Sequence, residues 1–207
     1  QLLEAELALG NMKLIQLHRE WINERMYPCI FFNPEKVDVL RSGDAWLSTT
    51  PEVPGTKSFE SAFPRLCTWA CLNHKESKKE IFVINTHLDH VKDETRSHQI
   101  DVVIETIKKE NNQNLPVVLC GDFNEDPLGQ VRSKIDQHLD FKDPWIIFKK
   151  EEETTHHKFC GFNDDGARID WILCSNEINP RSIEIDKSHQ DNLWPSDHFI
   201  IKAEFEL

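Results

Sequence analysis

Residues 116–127, PVVLCGDFNEDP, decide how the rest of the chain is read. The first half is an unbroken apolar run, the pattern of a strand buried on both faces. Gly121 closes the run and can take the sharp turn a strand end needs. Asp122 and Asn124 follow two residues apart, so an extended chain points both the same way, beyond the strand end. An acid beside an amide suits phosphate chemistry. Asp122 can accept a proton from water or touch a cation, and the Asn124 amide can hydrogen-bond a phosphate oxygen. Gly, Asp, Asn and Pro are also turn formers, so a plain β-turn is the competing reading.

Working outward, other stretches place polar groups at strand ends. In residues 81–90, IFVINTHLDH, His87 comes straight off an apolar run. Imidazole titrates near neutrality and can give a proton to a leaving oxygen. Standing alone, His87 would pass for a hydrogen-bonded histidine closing a strand, and Asp89 and His90 have weaker cases. In residues 166–173, GARIDWIL, Asp170 is a carboxylate inside an apolar strand, and burial demands a partner. A histidine is the natural one, since the carboxylate would fix its tautomer and favour its charged form; Arg168 and backbone capping are the alternatives. In residues 194–205, WPSDHFIIKAEF, the adjacent Asp197 and His198 can supply a metal or water contact and a phosphate contact, or simply turn the chain. Arg65, opening RLCTWACL, can neutralise a phosphate or stand on the surface as an ordinary arginine. Each stretch is weak alone. Together they are residue types suited to metal-assisted cleavage of a phosphate ester.

The whole chain has 207 residues, enough for one domain of the usual ~100–150 or at most a short pair. Hydrophobic residues make up 39% and charged residues 29%, a globular balance that excludes bulk disorder. No apolar run approaches the ~20 residues of a membrane helix. The net charge of −12 repels phosphate backbones at long range and argues against a general nucleic-acid coat protein. A local site with bound metal ions is still open to it.

Six cysteines are too few for a disulfide scaffold. Cys29, Cys120 and Cys174 sit in apolar runs and read as buried free thiols. Cys67, Cys71 and His74 suggest a zinc clip, but Cys67, Trp69 and Cys71 share one strand face and read as core. No signal peptide or transit segment is visible, and the reading leans to an intracellular protein. Gln1 rather than Met leaves the natural N-terminus open.

Periodicity places a short helix at the start, with Leu2, Leu3 and Leu7 inward. Strands are expected over 28–32, 37–40, 65–72, 81–84, 116–120, 169–174 and 199–207, and helices over 94–109 and 128–139. Residues 50–57 read as a loop and 74–79 as a hairpin connection. The sum is a layered α/β protein.

THL, GDFN, RIDWIL and SDH, in that order, resemble the endonuclease/exonuclease/phosphatase superfamily, and the similarity covers nearly the whole chain. The resemblance implies an α/β fold: two packed β-sheets flanked by helices, a four-layer sandwich of the DNase I type with its site at one end. It implies that Asp122 orients or deprotonates the attacking water and that Asn124 stabilises the pentacovalent phosphate. His87 would contact phosphate or assist the leaving group, and His198 would bind the scissile phosphate, oriented by Asp170. Asp197, with Asp122, would serve the metal, Mg²⁺ or Mn²⁺.

One departure stands out. The family begins with a strand carrying an Asn and a second ending in a Gln-Glu pair, whose Glu is the principal metal ligand. The opening QLLEAELALG instead resembles the helix that follows that Glu, and REWINER a later loop ending at Glu24. The chain therefore reads as a single domain of this family, N-terminally truncated by two strands. The expected activity is metal-dependent hydrolysis of a phosphodiester or phosphomonoester, on a small molecule or nucleic acid, with no membrane span and no obligate protein partner. The competing function is a non-catalytic binding or regulatory module that keeps the pocket without the metal-ligand Glu.

Overall fold

The structure, a computed structural model, describes residues 8–23 and 25–207. The expected opening helix with Leu2, Leu3 and Leu7, and Glu24, lie outside the described residues.

Six strands build the central sheet: β3 (Val37–Trp46), β4 (Leu66–His74), β5 (Glu80–His87), β6 (Val117–Asp122), β7 (Phe141–Lys142) and β8 (Asp170–Ser175). Their order across the sheet is β3-β4-β5-β6-β8-β7. β5 and β6 run parallel, and helix α1 (Asp93–Glu110) makes the crossover that a parallel pair requires. Asp93 and Glu94 in its first turn and Lys108 and Lys109 in its last suit the helix dipole. Ile100, Val103, Ile104 and Ile107 recur at helical spacing and are all buried in one cluster with Cys67, Trp69, Phe82, Ile84 and Leu119 of the sheet. Each such side chain contributes about 1.5–3 kcal/mol by leaving water. Helix α2 (Gln130–His138) adds Val131 and Ile135 to the same cluster. Its backbone donor at Val131 is satisfied by Glu125 Oε2 at 2.6 Å. A single turn, α3 (Pro144–Ile147), is capped by Asp143.

The opposite face of the sheet is covered less completely. A two-stranded ribbon, β9 (Asn179–Asp186) with β10 (Ile200–Glu206), lays Phe205 and the terminal Leu207 against Ile81, Val83, Val118 and Ile172. A second ribbon, β1 (Lys13–Leu14) with β2 (Phe31–Phe32), belongs to a strap over residues 13–23 and 25–32. Asn85 Nδ2 ties that strap to the sheet by donating to the Cys29 carbonyl at 3.0 Å. Between the ribbons runs a trough of about 380 Å³, lined by Pro28, Asn85, Cys120, Ile172 and Ile201 and ending at His87, Asp122 and Asp170.

Most expected elements are present, and the differences are local. The strand expected over 28–32 is paired only at Phe31–Phe32. β3 continues six residues past Leu40, to Trp46. The expected second helix is shorter, Gln130–His138. β5 runs on from the expected 81–84 to His87, and β9 with the short elements β1, β7 and α3 lies outside every expected element. All six cysteines are free, but only Cys67, Cys71 and Cys174 are fully buried. Cys29 and Cys120 face the half-covered side and are half-buried, and Cys160 is exposed.

Candidate active site

Strand register assembles the site. His87 pairs with Asp122 across β5 and β6, and Asp122 pairs with Asp170 across β6 and β8. Paired residues share a sheet face, so these three side chains form one row at one end of the sheet. His87 Nε2 lies 3.3 Å from Asp122 Oδ2. The segment before β10 adds His198, whose Nδ1 lies 2.8 Å from Asp170 Oδ2. One donor atom from each of Asp122, Asp170 and His198 falls within 4.8 Å of the others. Arg168, the alternative partner for Asp170, turns away to Asp143 at 3.0 Å and Glu152 at 2.8 Å.

Two backbone features hold the row. Gly121 has φ +143°, and a Cβ there would lie 2.0 Å from the Thr86 carbonyl oxygen, so only glycine lets β6 come this close to β5. Asn124 has φ +51°. Its N–H donates to Asp122 Oδ1 at 2.9 Å and its Nδ2 donates to the Leu88 carbonyl at 3.0 Å. The turn reading and the site reading of GDFN thus hold together: the turn aims Asp122.

The charges are strongly perturbed. Burial and then the charge of Asp170 push the Asp122 carboxyl up to about 6. Burial, followed by the nearby charges of Arg65, His198 and His90, pushes His87 down to about 3, so its ring is neutral at pH 7. Burial also opposes charge on His198, but the hydrogen bond and charge of Asp170 outweigh it and hold this imidazole above its ordinary value.

Arg65 is only 4% exposed, which overturns the surface-arginine alternative. Its Nη2 lies 3.4 Å from His90 Nδ1, while Nε and Nη1 are buried without a hydrogen-bond partner. It sits close enough to Asp122 and Asp89 to feel both charges, although burial dominates and lowers its pKa. Asp89, fully buried, accepts hydrogen bonds from the backbone of Ala62, Val91 and Lys92 and so fastens the loops that carry Arg65 and His90.

Asp197 stands on the far side of His198. Its Oδ2 lies 3.6 Å from His156 Nε2, and His156, Asp197 and His198 make a second group of donors within 4.8 Å. Asp122 and Asp197 therefore belong to two groups that share His198. His156 was missed in the sequence because its neighbours in THHKF carry no ligand spacing, and only the pairing of His156 with His198 reveals it. Phe159 and Phe162 are exposed, and Trp194 closes over Gly161 and His157 at the rim.

A divalent cation fits this donor set. Asp122 and Asp170 face each other as like charges, which adds to burial in raising Asp122, and a cation bound to oxygen donors would favour the ionised form.

A mixed α/β fold with such a row at one end of its sheet defines a class of phosphate-ester hydrolases. The chain belongs to the endonuclease/exonuclease/phosphatase family, whose model matches residues 29–198. Its fold is similar to that of a mannosyl-6-phosphatase from Bacteroides thetaiotaomicron, at 27% identity and a TM-score of 0.86, covering 100% of this chain and 81% of that one. A family protein from Bacteroides vulgatus is similar at 27% identity and a TM-score of 0.88, covering 100% and 80%. The catalytic domain of human Nocturnin, solved with a sulfate anion, shares the fold at 18% identity and a TM-score of 0.74, covering 99% and 75%. No curated protein matches the chain.

Proposed function

We propose that this protein hydrolyses a phosphodiester or phosphomonoester by in-line attack of water. The observation that carries the reading is the convergence of Asp122, Asp170 and His198, from three separate segments, beside His87 and the buried Arg65.

Asp122, poised at about 6, takes the proton of the attacking water. His198, oriented by Asp170, presents positive charge to the phosphate oxygens. His87 is neutral and donates a hydrogen bond to the phosphate or to the leaving oxygen. One amide N–H of Asn124 is used on Leu88, and the other is available to a phosphate oxygen. Arg65 lies close enough to Asp122 to feel its charge and so adds positive potential where the phosphate would sit. The expected metal pair is divided between the two groups: Asp122, with Asp170, would hold Mg²⁺ or Mn²⁺, which when bound supplies Lewis-acid polarisation of the phosphate, while Asp197 lies with His156 beyond His198.

The net charge of −12 favours small esters over long polyanions. The phosphatase similar at 27% identity makes a sugar phosphate the first natural substrate to try. The test uses p-nitrophenyl phosphate and its bis ester with Mg²⁺ or Mn²⁺. Asp122→Ala and His198→Ala are each expected to lower kcat by about 10²–10⁴-fold while the circular dichroism stays native. Unchanged rates in both variants would defeat the assignment. Cation binding without hydrolysis of any ester would identify a binding module instead.

A further inference from the structure

His156 contributes nothing to the row of strand-end groups, yet the fold holds it firmly beside them. Residues 156 and 198 pair as an isolated antiparallel bridge. The Asp197 carbonyl accepts from the backbone N–H of His157 at 2.8 Å and of Lys158 at 3.2 Å. Thr155 receives the N–H of Phe199 at 2.8 Å, and Asn163 Nδ2 donates to the His156 carbonyl at 3.0 Å. Two short segments, 155–158 and 197–199, are thus locked together before any ligand arrives.

Their side chains meet at ligand spacing. The rings of His156 and His198 lie 4.7 Å apart at 37°, and His156 Nε2 is 3.6 Å from Asp197 Oδ2. Bonds of about 2.0–2.1 Å in a tetrahedral zinc site put neighbouring donors roughly 3.4 Å apart. All three residues are half-buried, so a cation could enter and keep water as a further ligand. His198 Nδ1 is engaged by Asp170, which leaves Nε2 as the free ring nitrogen. A ligating histidine whose second nitrogen is fixed by a carboxylate is the usual outer arrangement at zinc.

We propose that His156, Asp197 and His198 form a site for a borderline divalent cation such as Zn²⁺ or Co²⁺. Two imidazoles and one carboxylate favour such ions over Mg²⁺, which prefers oxygen donors. The site goes beyond the proposed hydrolysis and opposes it, because occupancy withdraws His198, the residue the two groups share, from phosphate and from the donor set of Asp122 and Asp170.

Binding can be read without substrate, so a failure here is separable from a failure of the hydrolase reading. The experiment is Zn²⁺ calorimetry and Co²⁺ visible absorption on the full chain in excess Mg²⁺. The wild type is expected to bind one Zn²⁺ equivalent that His156→Phe and His156→Asn lack, and to show Co²⁺ bands absent from both variants. Asp122→Asn is expected to keep this equivalent, and Asp170→Asn to weaken it by about 10–100-fold. In hydrolysis assays Zn²⁺ inhibits the wild type, while His156→Phe keeps the Mg²⁺-supported rate and escapes inhibition. Equal Zn²⁺ stoichiometry and affinity in the wild type and both His156 variants would overturn the proposal, as would loss of the equivalent in Asp122→Asn.

Discussion

Asp170 sets the charge on two neighbours at once, and in the same direction. Its like charge raises Asp122, and its opposite charge raises His198. In the proposed mechanism Asp122 works ionised, so activity climbs as pH rises through its carboxyl pKa, which stands at about 6 without a cation and falls when one binds. His198 works protonated, so activity falls as pH rises through its raised pKa. Asp170→Asn removes both influences. Both limbs of the pH–rate profile are then expected to move toward lower pH, with a lower maximum. A profile reduced in height with both limbs unmoved would show that Asp170 acts on placement alone. Most of these residues were legible because each borders or interrupts an apolar run, where a lone polar side chain is conspicuous. Arg65 was legible as a residue type but not as a buried one. Its burial depends on loops 59–63 and 87–92 folding over it, fastened by Asp89. His156 was illegible because its partners are far away in sequence.

At the scale of the element, legibility followed how many sides of a strand are covered. β6 is flanked by strands on both edges and reads as PVVLC. β9 pairs only with β10 and keeps Arg181, Ser182 and Glu184 exposed, so its Ile183 and Ile185 look isolated, and Pro180 argues further against a strand. The second half of β3, RSGDAW, was hidden by residues chosen for contacts. A Cβ at Gly43 would lie 2.6 Å from the Trp69 ring, and Asp44 holds Arg19. The close approach of β5 to β6 at Gly121 gives a sharp prediction. Gly121→Ala must place a methyl against the Thr86 carbonyl and hold an unfavourable φ. It is expected to cost more than about 3 kcal/mol in urea unfolding, and near-native stability would mean that β5 and β6 can separate freely.

Across the molecule, an ion pair between Arg19 and Asp44 helps hold the strap over residues 13–23 and 25–32 to the sheet. Arg19 Nε and Nη2 each lie 2.6 Å from a different oxygen of Asp44, Nη2 also reaches Thr68 at 2.7 Å, and the guanidinium sits 4.7 Å from the Trp21 ring and 4.5 Å from the Tyr27 ring. Burial works against the Asp44 carboxylate, but hydrogen bonds from Arg19 and His18 and the charge of Arg19 hold it down at about 2. A carboxyl depressed in the folded state stabilises above its unfolded pKa of about 3.9, and that stabilisation is lost as pH falls through about 2. The linked contribution is about 2–3 kcal/mol at neutral pH. Asp44→Asn leaves Arg19 buried without its counter-ion and is expected to destabilise by about 3–5 kcal/mol at pH 7. The gap to wild type should narrow as pH falls from 4 toward 2. A gap constant with pH would assign the loss to packing.

His87, Asp122 and Asp170 are placed by a backbone ladder, while Phe159, Phe162 and Leu193 ride on the surrounding connections. In the proposed hydrolase, reactivity would then belong to the ladder and selectivity to the connections. Grafting rim segments from one homologue onto another can redirect which molecule is cut without disturbing the cutting apparatus, a route by which one ancestral scaffold could diversify.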